Sequence, residues 1–215
     1  LLERTLADRG EPAFRARQVW GWAARGAGGY AEMTNVPVAL RDALAADVPF
    51  SSLTLADEAR SADGTVKALF RTADGHPVEA VLMRYRDGRR SVCVSSQSGC
   101  PLTCTFCATG AMRFGRNLTH SEILDQALHF RRSEAVDHAV FMGMGEPLMN
   151  RTAVFPALQA LNHGYGLGAR RITVSTVGIV PGILEMARMP EQYRLAVSLH
   201  APNHELRQEL IPVEK

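Results

Sequence analysis

From residue 91 onward, short apolar runs alternate with amphipathic helical segments, and this alternation constrains the fold more than any other feature. Strands are expected at 91–95, 138–142, 171–176 and 193–199, each followed by a helix. A strand, a helix and a second parallel strand form a right-handed βαβ unit. Four such units predict a parallel α/β core over residues 91–215 that closes half to two-thirds of a barrel. The last strand would leave an uncovered edge, so we expect a barrel truncated at its C-terminal side.

Two other patterns precede this core. Residues 1–50 predict a small helical domain, with helices at 1–8, 14–24 and 38–46. Residues 51–90 contain three Asp-Gly pairs, 11 and 13 residues apart, that separate apolar runs: Asp63-Gly64, Asp74-Gly75 and Asp87-Gly88. Asp-Gly supplies the positive φ angles of two-residue type I′ hairpin turns. We therefore expect a four-stranded antiparallel β-meander.

Composition narrows the class of protein. A chain of 215 residues with 46% hydrophobic content can bury a substantial core. Its net charge of +2 gives no indication of a nucleic-acid partner. Only local clusters of basic residues could indicate one. The longest uncharged stretch, 91–112, is rich in Ser, Thr, Gln and Cys and is unlike a membrane span. With no basic and apolar leader at Leu1, we expect a soluble, cytoplasmic protein without membrane contact.

Three cysteines with C-x3-C-x2-C spacing, Cys100, Cys104 and Cys107, indicate a metal site. One short loop that gathers three thiolates can hold three irons of a four-iron cluster and leave the fourth iron open. Both gaps also fit zinc-ligand spacing, with Cys93 as a fourth sulfur, so spacing alone leaves iron–sulfur and zinc open. A disulfide framework is disfavoured, because all four cysteines fall within fifteen residues of a chain without a secretory leader.

Polar and glycine-containing segments end the other predicted strands. In parallel α/β folds, chemistry collects where strands end and helices begin. Each segment alone is a weak signal, but together with the cysteine loop they predict one pocket. Glu146 could pair with an ammonium group, Gly145 allows close backbone approach, and the hydroxyls and the imidazole could bond a ribose or a carboxylate. Such a pocket suits a small zwitterionic nucleoside, and its predicted residues are Gly145, Glu146, Ser175, Ser198, Leu199 and His200.

These motifs carry a family resemblance. The segments Cys93-Val-Ser-Ser-Gln97-x-Gly99-Cys100-x3-Cys104-x-Phe106-Cys107, 142–147 and 198–203 closely resemble the radical S-adenosylmethionine enzymes that methylate C2 of adenine in 23S ribosomal RNA and transfer RNA. Segments 14–19, 32–34 and 61–65 extend the resemblance over essentially the whole chain. The resemblance favours an iron–sulfur cluster over zinc and implies a partial radical-SAM barrel.

The resemblance also implies the cofactors and the roles of individual residues. Cys100, Cys104 and Cys107 would hold a [4Fe-4S] cluster, and its open iron would bind S-adenosylmethionine. The six pocket residues would contact that ligand. Reductive cleavage would give a radical that activates a methyl group carried on a protein cysteine. Cys93 matches the cysteine that releases the protein–RNA adduct by forming a disulfide, and Glu79 matches the proton acceptor. Without the resemblance, Glu79 would be an exposed strand carboxylate and Cys93 a small buried apolar residue.

The implied partners are 23S rRNA and tRNA as substrates and an external electron donor of flavodoxin type, with the chain as a monomer. The family's methyl-carrying cysteine lies downstream of these motifs, and no cysteine follows Cys107. We therefore expect the 215 residues to bind the cluster and part of the ligand without completing the reaction. Two alternatives stay open: an adenine-C8 rRNA methyltransferase of the same superfamily, and a non-catalytic iron–sulfur RNA-binding module.

The hairpin at Asp87-Gly88 bears on two predictions. A two-residue turn there places Glu79 opposite Ser96 and on the other face of the sheet from Cys93, whereas a one-residue bulge would bring them to the same face. The tip also carries the favoured contact with RNA phosphates, because it concentrates four arginines in seven residues: Arg84, Arg86, Arg89 and Arg90.

Overall fold

The computed structural model describes residues 1–212, and its first 50 residues contain the three predicted helices. They are α1 (Leu2–Asp8), α2 (Phe14–Ala24) and α3 (Val38–Asp47), while the domain bounds at 1–50 stay a prediction. These helices bury their own apolar cluster, which includes Leu6, Val19, Met33, Leu40 and Leu44. Trp20 packs on the main core instead. The helical domain therefore has a separate small core and is docked on the rest of the molecule.

The predicted meander is present as four antiparallel strands, β1 (Leu53–Arg60), β2 (Val66–Thr72), β3 (Pro77–Arg84) and β4 (Arg90–Cys93). Its turns differ from the prediction. The Tyr85 amide donates to the Arg89 carbonyl over 2.9 Å, and the Gly88 amide donates to the Tyr85 carbonyl over 3.0 Å. The loop therefore has three residues, and Gly88 takes the left-handed conformation with a φ of +87°. The other two hairpin loops repeat this arrangement at Gly64 and Gly75.

The predicted type I′ turns are therefore wrong. A type I′ turn needs positive φ at both central residues, but among the described non-glycine residues only Thr103 and His200 have positive φ. Each aspartate keeps a negative φ, and only its glycine enters the left-handed region. This geometry is the three-residue hairpin loop in which a left-handed glycine closes the turn.

The longer loop shifts the register by one residue. Strands β3 and β4 pair Val81 with Cys93. Glu79 lies two residues before Val81, so Glu79 and Cys93 point to the same face of the sheet. The Ser95 hydroxyl donates to the Glu79 carbonyl over 2.5 Å, which fits this register. The expectation that Glu79 opposes Ser96 on the other face is wrong, because it assumed a two-residue turn.

Strand β4 continues the sheet into its parallel half. The added strands are β7 (His138–Phe141), β8 (Ile172–Thr176) and β9 (Arg194–Val197), while β5 (Gln97–Ser98) and β6 (Arg116–Asn117) form a separate pair. The seven-stranded sheet has the order β1-β2-β3-β4-β7-β8-β9, and its last four strands, β4, β7, β8 and β9, are parallel. Because the meander and the parallel strands share one sheet, the domain boundary at residue 90 stays a prediction.

Helices follow the parallel strands as expected: α4 (His120–Arg131), α5 (Arg151–Gln159), α6 (Val180–Met186) and α7 (His204–Leu210). The predicted capping box opens α4, since Thr119 and Glu122 exchange side-chain and backbone hydrogen bonds. One face of the sheet and the helices α4 and α5 bury a common core that includes Val92, Phe141, Val174, Ile123 and Leu158.

The α/β fold class is confirmed, with its helical start, its meander and its parallel strand–helix units. The sheet face opposite the main core is only partly buried and carries Cys93 and Ser175. None of the helices between residues 1 and 212 is long and apolar enough to cross a bilayer.

Candidate functional site

The cysteine loop leaves the sheet through β5 and bends at Gly99, whose φ is +72°. A Cβ at Gly99 would lie 2.5 Å from the Arg113 carbonyl oxygen, so no larger residue fits. Cys100 and Cys104 are buried, Cys107 is half-buried, and all three are free thiols. Burial raises the pKa of Cys100, and the Cys104 and Cys107 thiols add to that rise. The three sulfur atoms therefore lie within electrostatic reach of one another.

Two of the three cysteines lie in a small apolar cluster, while much of the rest of the loop is exposed. Leu102 and Ile211 form a buried cluster with Cys100 and Cys104. A Cβ at Gly110 would lie 2.7 Å from the Cys104 carbonyl oxygen. Three unpaired thiols in an apolar loop are the donor set that iron–sulfur clusters use. In the part of the chain that the structure describes, no three His, Cys, Asp or Glu side chains are grouped around a single metal position.

The loop after β7 lies directly against the segment that enters the cysteine loop. Gly145 has a φ of +93°, and a Cβ there would lie 2.4 Å from the Cβ of Gln97. The Glu146 amide donates to Oε1 of Gln97 over 2.8 Å. The Ser96 amide donates to the Met144 carbonyl over 2.9 Å. The predicted Gly145 and Glu146 are therefore fixed beside the predicted cluster ligands.

The Glu146 carboxylate is buried and already accepts hydrogen bonds. The Leu148 and Val177 amides each donate to it over 2.9 Å. Burial raises the pKa of Glu146, and these two amides counteract the rise. The carboxylate in turn raises the pKa of Cys100 and Cys104, so the two loops share one electrostatic environment. Each carboxylate oxygen has two lone pairs, so an additional donor can still bind.

The ends of β8 and β9 meet as the sequence predicted. The hydroxyl oxygens of Ser175 and Ser198 lie 3.1 Å apart. The Ser198 amide donates to the Thr176 carbonyl over 2.8 Å, which extends the parallel pairing past the last strand residue. Two hydroxyl groups therefore stand side by side at the edge that also carries Glu146.

His200 and Leu199 occupy the turn after β9. The His200 backbone has a φ of +60°, which is uncommon for a residue with a side chain. Its imidazole packs on the ring of Phe106 in the cysteine loop. Leu199 contributes its carbonyl, which accepts a hydrogen bond from Arg207, while its side chain is 61% exposed. The predicted ligand residues thus lie at the carboxyl ends of the neighbouring strands β7, β8 and β9: Ser175 is near the end of strand β8 itself, and the others lie on the loops after β7 and β9.

Glu79 and Cys93 lie on strands β3 and β4 rather than on those loops. The Glu79 carboxylate pairs with the Lys67 ammonium over 3.0 Å across strands β3 and β2. Cys93 is half-buried, and burial raises its pKa to about 11. The structure brings these two residues to one face, and the thiol there is protonated at neutral pH.

Three residues of the site were not predicted from the sequence. Arg207 on α7 donates to the carbonyls of Val177, Ser198 and Leu199 and so ties together the loops after β8 and β9. The Ser95 hydroxyl accepts from the Met144 amide over 2.8 Å, and Gln97 accepts from Glu146. Gln97 stood inside a recognised motif, but its type and spacing alone gave no sign of this contact.

Comparison with known proteins identifies the family. Residues 94–213, more than half of the chain, match the model of the radical SAM superfamily. The chain belongs to the radical SAM superfamily. Residues 1–48 match a second model, described as the ribosomal RNA large subunit methyltransferase N-terminal domain.

Relatives within the superfamily are similar to this radical SAM chain over nearly its whole length. A probable dual-specificity RNA methyltransferase RlmN from Gemmatimonas aurantiaca is 50% identical over 99% of this chain and 61% of the relative. The protein of the same description from Thermus thermophilus is 46% identical with the same coverage. The crystal structure of a radical SAM methyltransferase from Sphaerobacter thermophilus has a TM-score of 0.90 and 47% identity, and covers 99% of this chain and 64% of that one. The chain thus spans about three-fifths of the length of its curated relatives.

The family membership confirms the resemblance and settles the cofactors. They are a [4Fe-4S] cluster and S-adenosylmethionine, and the zinc alternative is wrong. The residues of this radical SAM chain fit the cluster, because the three thiols of the cysteine loop are unpaired and surrounded by apolar side chains.

Proposed function

We propose that this chain serves the methylation of C2 of adenine in 23S rRNA and tRNA. One structural observation carries the proposal: the Glu146 amide donates to Gln97, three residues before Cys100, over 2.8 Å, so the buried carboxylate lies beside the three-cysteine loop at the carboxyl edge of the parallel strands. A ligand bound there can contact the metal site and the carboxylate together. The similarity to dual-specificity RNA methyltransferases supports RNA as the substrate.

Cys100, Cys104 and Cys107 hold the cluster in this proposal. When bound, the cluster supplies the electron that cleaves S-adenosylmethionine. The protein's part is to keep water away and to fix the loop. Leu102 and Ile211 cover Cys100 and Cys104, and the Thr105 amide donates to the Leu210 carbonyl over 3.0 Å, which anchors the loop to the end of α7.

Glu146 binds the ammonium group of S-adenosylmethionine. Burial makes the ionised carboxylate costly, and a neighbouring cation restores it, so the site favours a positively charged ligand group. Gly145 allows the ligand to approach the backbone closely. Leu199 lies in the turn after β9 and contacts the ligand there. Ser175, Ser198 and His200 supply hydroxyl and imidazole groups for its polar atoms.

Glu79 accepts the proton that leaves the adenine, and Cys93 releases the protein–RNA adduct. In the release step the Cys93 thiolate would attack the sulfur that links the protein to RNA. A disulfide forms, the sulfur–carbon bond breaks, and its electron pair passes to the carbon on the adenine, which takes up a proton to become the methyl group. The thiolate must be generated for this step, because a pKa of about 11 leaves roughly one thiol in ten thousand ionised at pH 7. The common face of Glu79 and Cys93 supports their acting on one substrate.

The β3–β4 hairpin tip contacts RNA phosphates in this proposal, but through fewer arginines than its sequence suggested. Arg84 and Arg90 both pair with Glu134 in the turn that follows α4. Arg89 pairs with Asp87 within the same loop and stacks over Tyr85, but Arg89 and Asp87 both stay more than half exposed, so Arg89 is still open to a phosphate. We therefore assign the phosphate contact to Arg86 and Arg89. We also propose that the protein is a cytoplasmic monomer and that it receives electrons from an external donor of flavodoxin type.

Deleting the gene of the natural protein that contains these residues tests the function. We expect 2-methyladenosine to disappear from both 23S rRNA and tRNA when the nucleosides are measured by mass spectrometry. Loss of 8-methyladenosine instead would identify the C8 enzyme. Unchanged levels of both nucleosides would contradict the proposal.

A further inference from the structure

We propose that Gln97 is a positioning residue for S-adenosylmethionine: its side chain fixes the Gly145–Glu146 segment at a set distance from the cluster ligands. This inference rests on the proposed role of Glu146 in binding the ligand. Gln97 touches neither the cluster nor the ligand in this account and acts through Glu146.

The Gln97 side chain is 1% exposed and uses both ends of its amide. Its Oε1 accepts from the Glu146 amide over 2.8 Å, and its Nε2 donates to Oδ1 of Asn117 over 2.7 Å. A buried amide that loses such partners carries a desolvation cost, so the two contacts hold the side chain in one position.

The stem of Gln97 also defines the shape of the ligand loop. A Cβ at Gly145 would lie 2.4 Å from the Cβ of Gln97 and 2.7 Å from its Cγ. Gly145 therefore packs directly on Gln97, with no room for a larger residue. The Gln97 backbone adds a third link, because its amide donates to the Met144 carbonyl over 3.2 Å.

Gln97 stands three residues before Cys100, so it joins the two halves of the site through a short length of chain. A ligand held at one end by the metal site and at the other by Glu146 binds well only if the two are correctly spaced. In enzymes, a displacement near 1 Å of the groups that orient a substrate can cost about a hundredfold in rate. Gln97 provides a rigid link between the two loops and so keeps the metal site and Glu146 at the required spacing.

The competing explanation is that Gln97 only stabilises the fold, because it also pairs with Asn117 in the β5–β6 ribbon. The chain offers a matched control in Gln126, which is fully buried as well. Gln126 donates to the Ser95 and Glu122 carbonyls and accepts from the Ser95 amide. These bonds stabilise the same region without reaching Gly145 or Glu146.

The experiment compares Gln97→Met with Gln126→Met in the reconstituted chain. Hydrogen exchange of peptides covering residues 143–149 is measured first, in the absence of ligand. Iron content, the dissociation constant for S-adenosylmethionine and the free energy of unfolding follow. We expect both variants to lose stability and to keep their iron. Only Gln97→Met should exchange the Glu146 amide faster and bind the ligand about tenfold or more weakly.

Two results for Gln97→Met would overturn the inference. One is hydrogen exchange of the Glu146 amide at the wild-type rate, and the other is a dissociation constant for S-adenosylmethionine that is unchanged within about twofold. An equal loss of affinity in Gln126→Met would overturn it too, since general destabilisation would then suffice. If Gln97→Met fails to fold, Gln97→Glu keeps the oxygen that accepts from Glu146, and fast exchange there would refute the link. Failure of the proposed function is distinct: the fully loaded wild-type chain would then bind no S-adenosylmethionine, whatever the exchange at Glu146.

Discussion

The ring of Phe106 lies against the imidazole of His200, with 4.4 Å between the ring centroids and 46° between the planes. Phe106 belongs to the loop after the first parallel strand, and His200 to the turn after the fourth. The contact therefore joins the two outermost loops of the parallel set. It brings the cysteine loop over the ends of the strands that carry the two serine hydroxyls.

Replacing Phe106 by alanine should loosen this closure. A pair of rings contributes about 0.5–1.5 kcal/mol beyond its buried area, so Phe106→Ala should weaken S-adenosylmethionine binding by up to about tenfold while leaving the iron content unchanged. Equilibrium dialysis measures the affinity. Phe114→Ala is the matched control, because Phe114 is also a partly exposed phenylalanine that follows the cysteines. An equal effect of both variants would contradict a specific role for the ring contact.

The cluster ligands can be separated from the fourth cysteine by iron analysis. Anaerobic reconstitution should give about four irons per chain. Cys104→Ala should lose the cluster absorbance, because two thiolates cannot hold the same cluster. Cys93→Ala should keep it, since Cys93 lies in strand β4 and outside the cysteine loop. Loss of iron in both variants would show that Cys93 is a ligand.

The charge of Glu146 can be tested with the isosteric Glu146→Gln. The Leu148 and Val177 amides donate to different carboxylate oxygens, so the variant keeps one of these hydrogen bonds and loses the other, and we expect the unfolding midpoint to fall. A contact to a charged group contributes about 1.5–3 kcal/mol, so binding of S-adenosylmethionine should weaken about tenfold or more. Calorimetry that finds wild-type affinity in this variant would remove Glu146 from the ligand site.

The elevated pKa of Cys93 predicts its reactivity toward alkylating reagents. Burial disfavours the thiolate, so the reactive fraction should keep rising about tenfold per pH unit beyond pH 9 and level off only near pH 11. The rate of iodoacetamide labelling is measured in a variant with the three loop cysteines replaced by serine. The same protein unfolded in urea is the control and should level off near pH 9. A plateau near pH 9 in the folded state would disprove the burial effect.

The hairpin arginines should affect RNA binding unequally. Reversing Arg86 and Arg89 to glutamate should weaken binding and lower the salt slope by about one or two units, because each phosphate contact releases counterions. Reversing Arg188 and Arg194, two other arginines, is the control for net charge. Filter binding at several salt concentrations gives the slopes. If both double variants change the slope equally, the effect is one of total charge and the RNA site lies elsewhere.

Local signals predicted much of the fold. The capping box at Thr119 and Glu122 starts α4 where the sequence placed it, and Asn203 caps α7 through its side chain. These devices act within one turn of chain, so nearby residues suffice to recognise them. The parallel strands were also found, because glycine and polar residues interrupt each apolar run, but the first and the last end two residues earlier than predicted, at Cys93 and Val197.

Features that depend on distant contacts could not be predicted. Asp-Gly is compatible with hairpin loops of two or three residues, so the sequence left the pairing of Glu79 open. Arg207 reaches carbonyls eight to thirty residues away in sequence. The Gln97 side chain accepts a hydrogen bond from the Glu146 amide, 49 residues away in sequence. Such contacts depend on how whole elements pack, and no local pattern encodes them.

The three-residue loop at the tip of the β3–β4 hairpin restricts which insertions and deletions this chain can tolerate. Exposed hairpin tips usually accept changes in length. Here, loss or gain of one residue between Tyr85 and Arg89 would turn Cys93 to the opposite face from Glu79 and move Val92 out of the core. Substitutions at Arg86 or Asp87 leave that relationship intact, whereas Gly88 is tied to its left-handed φ of +87°. The length of this surface loop is therefore under stronger constraint than the identity of its first two residues.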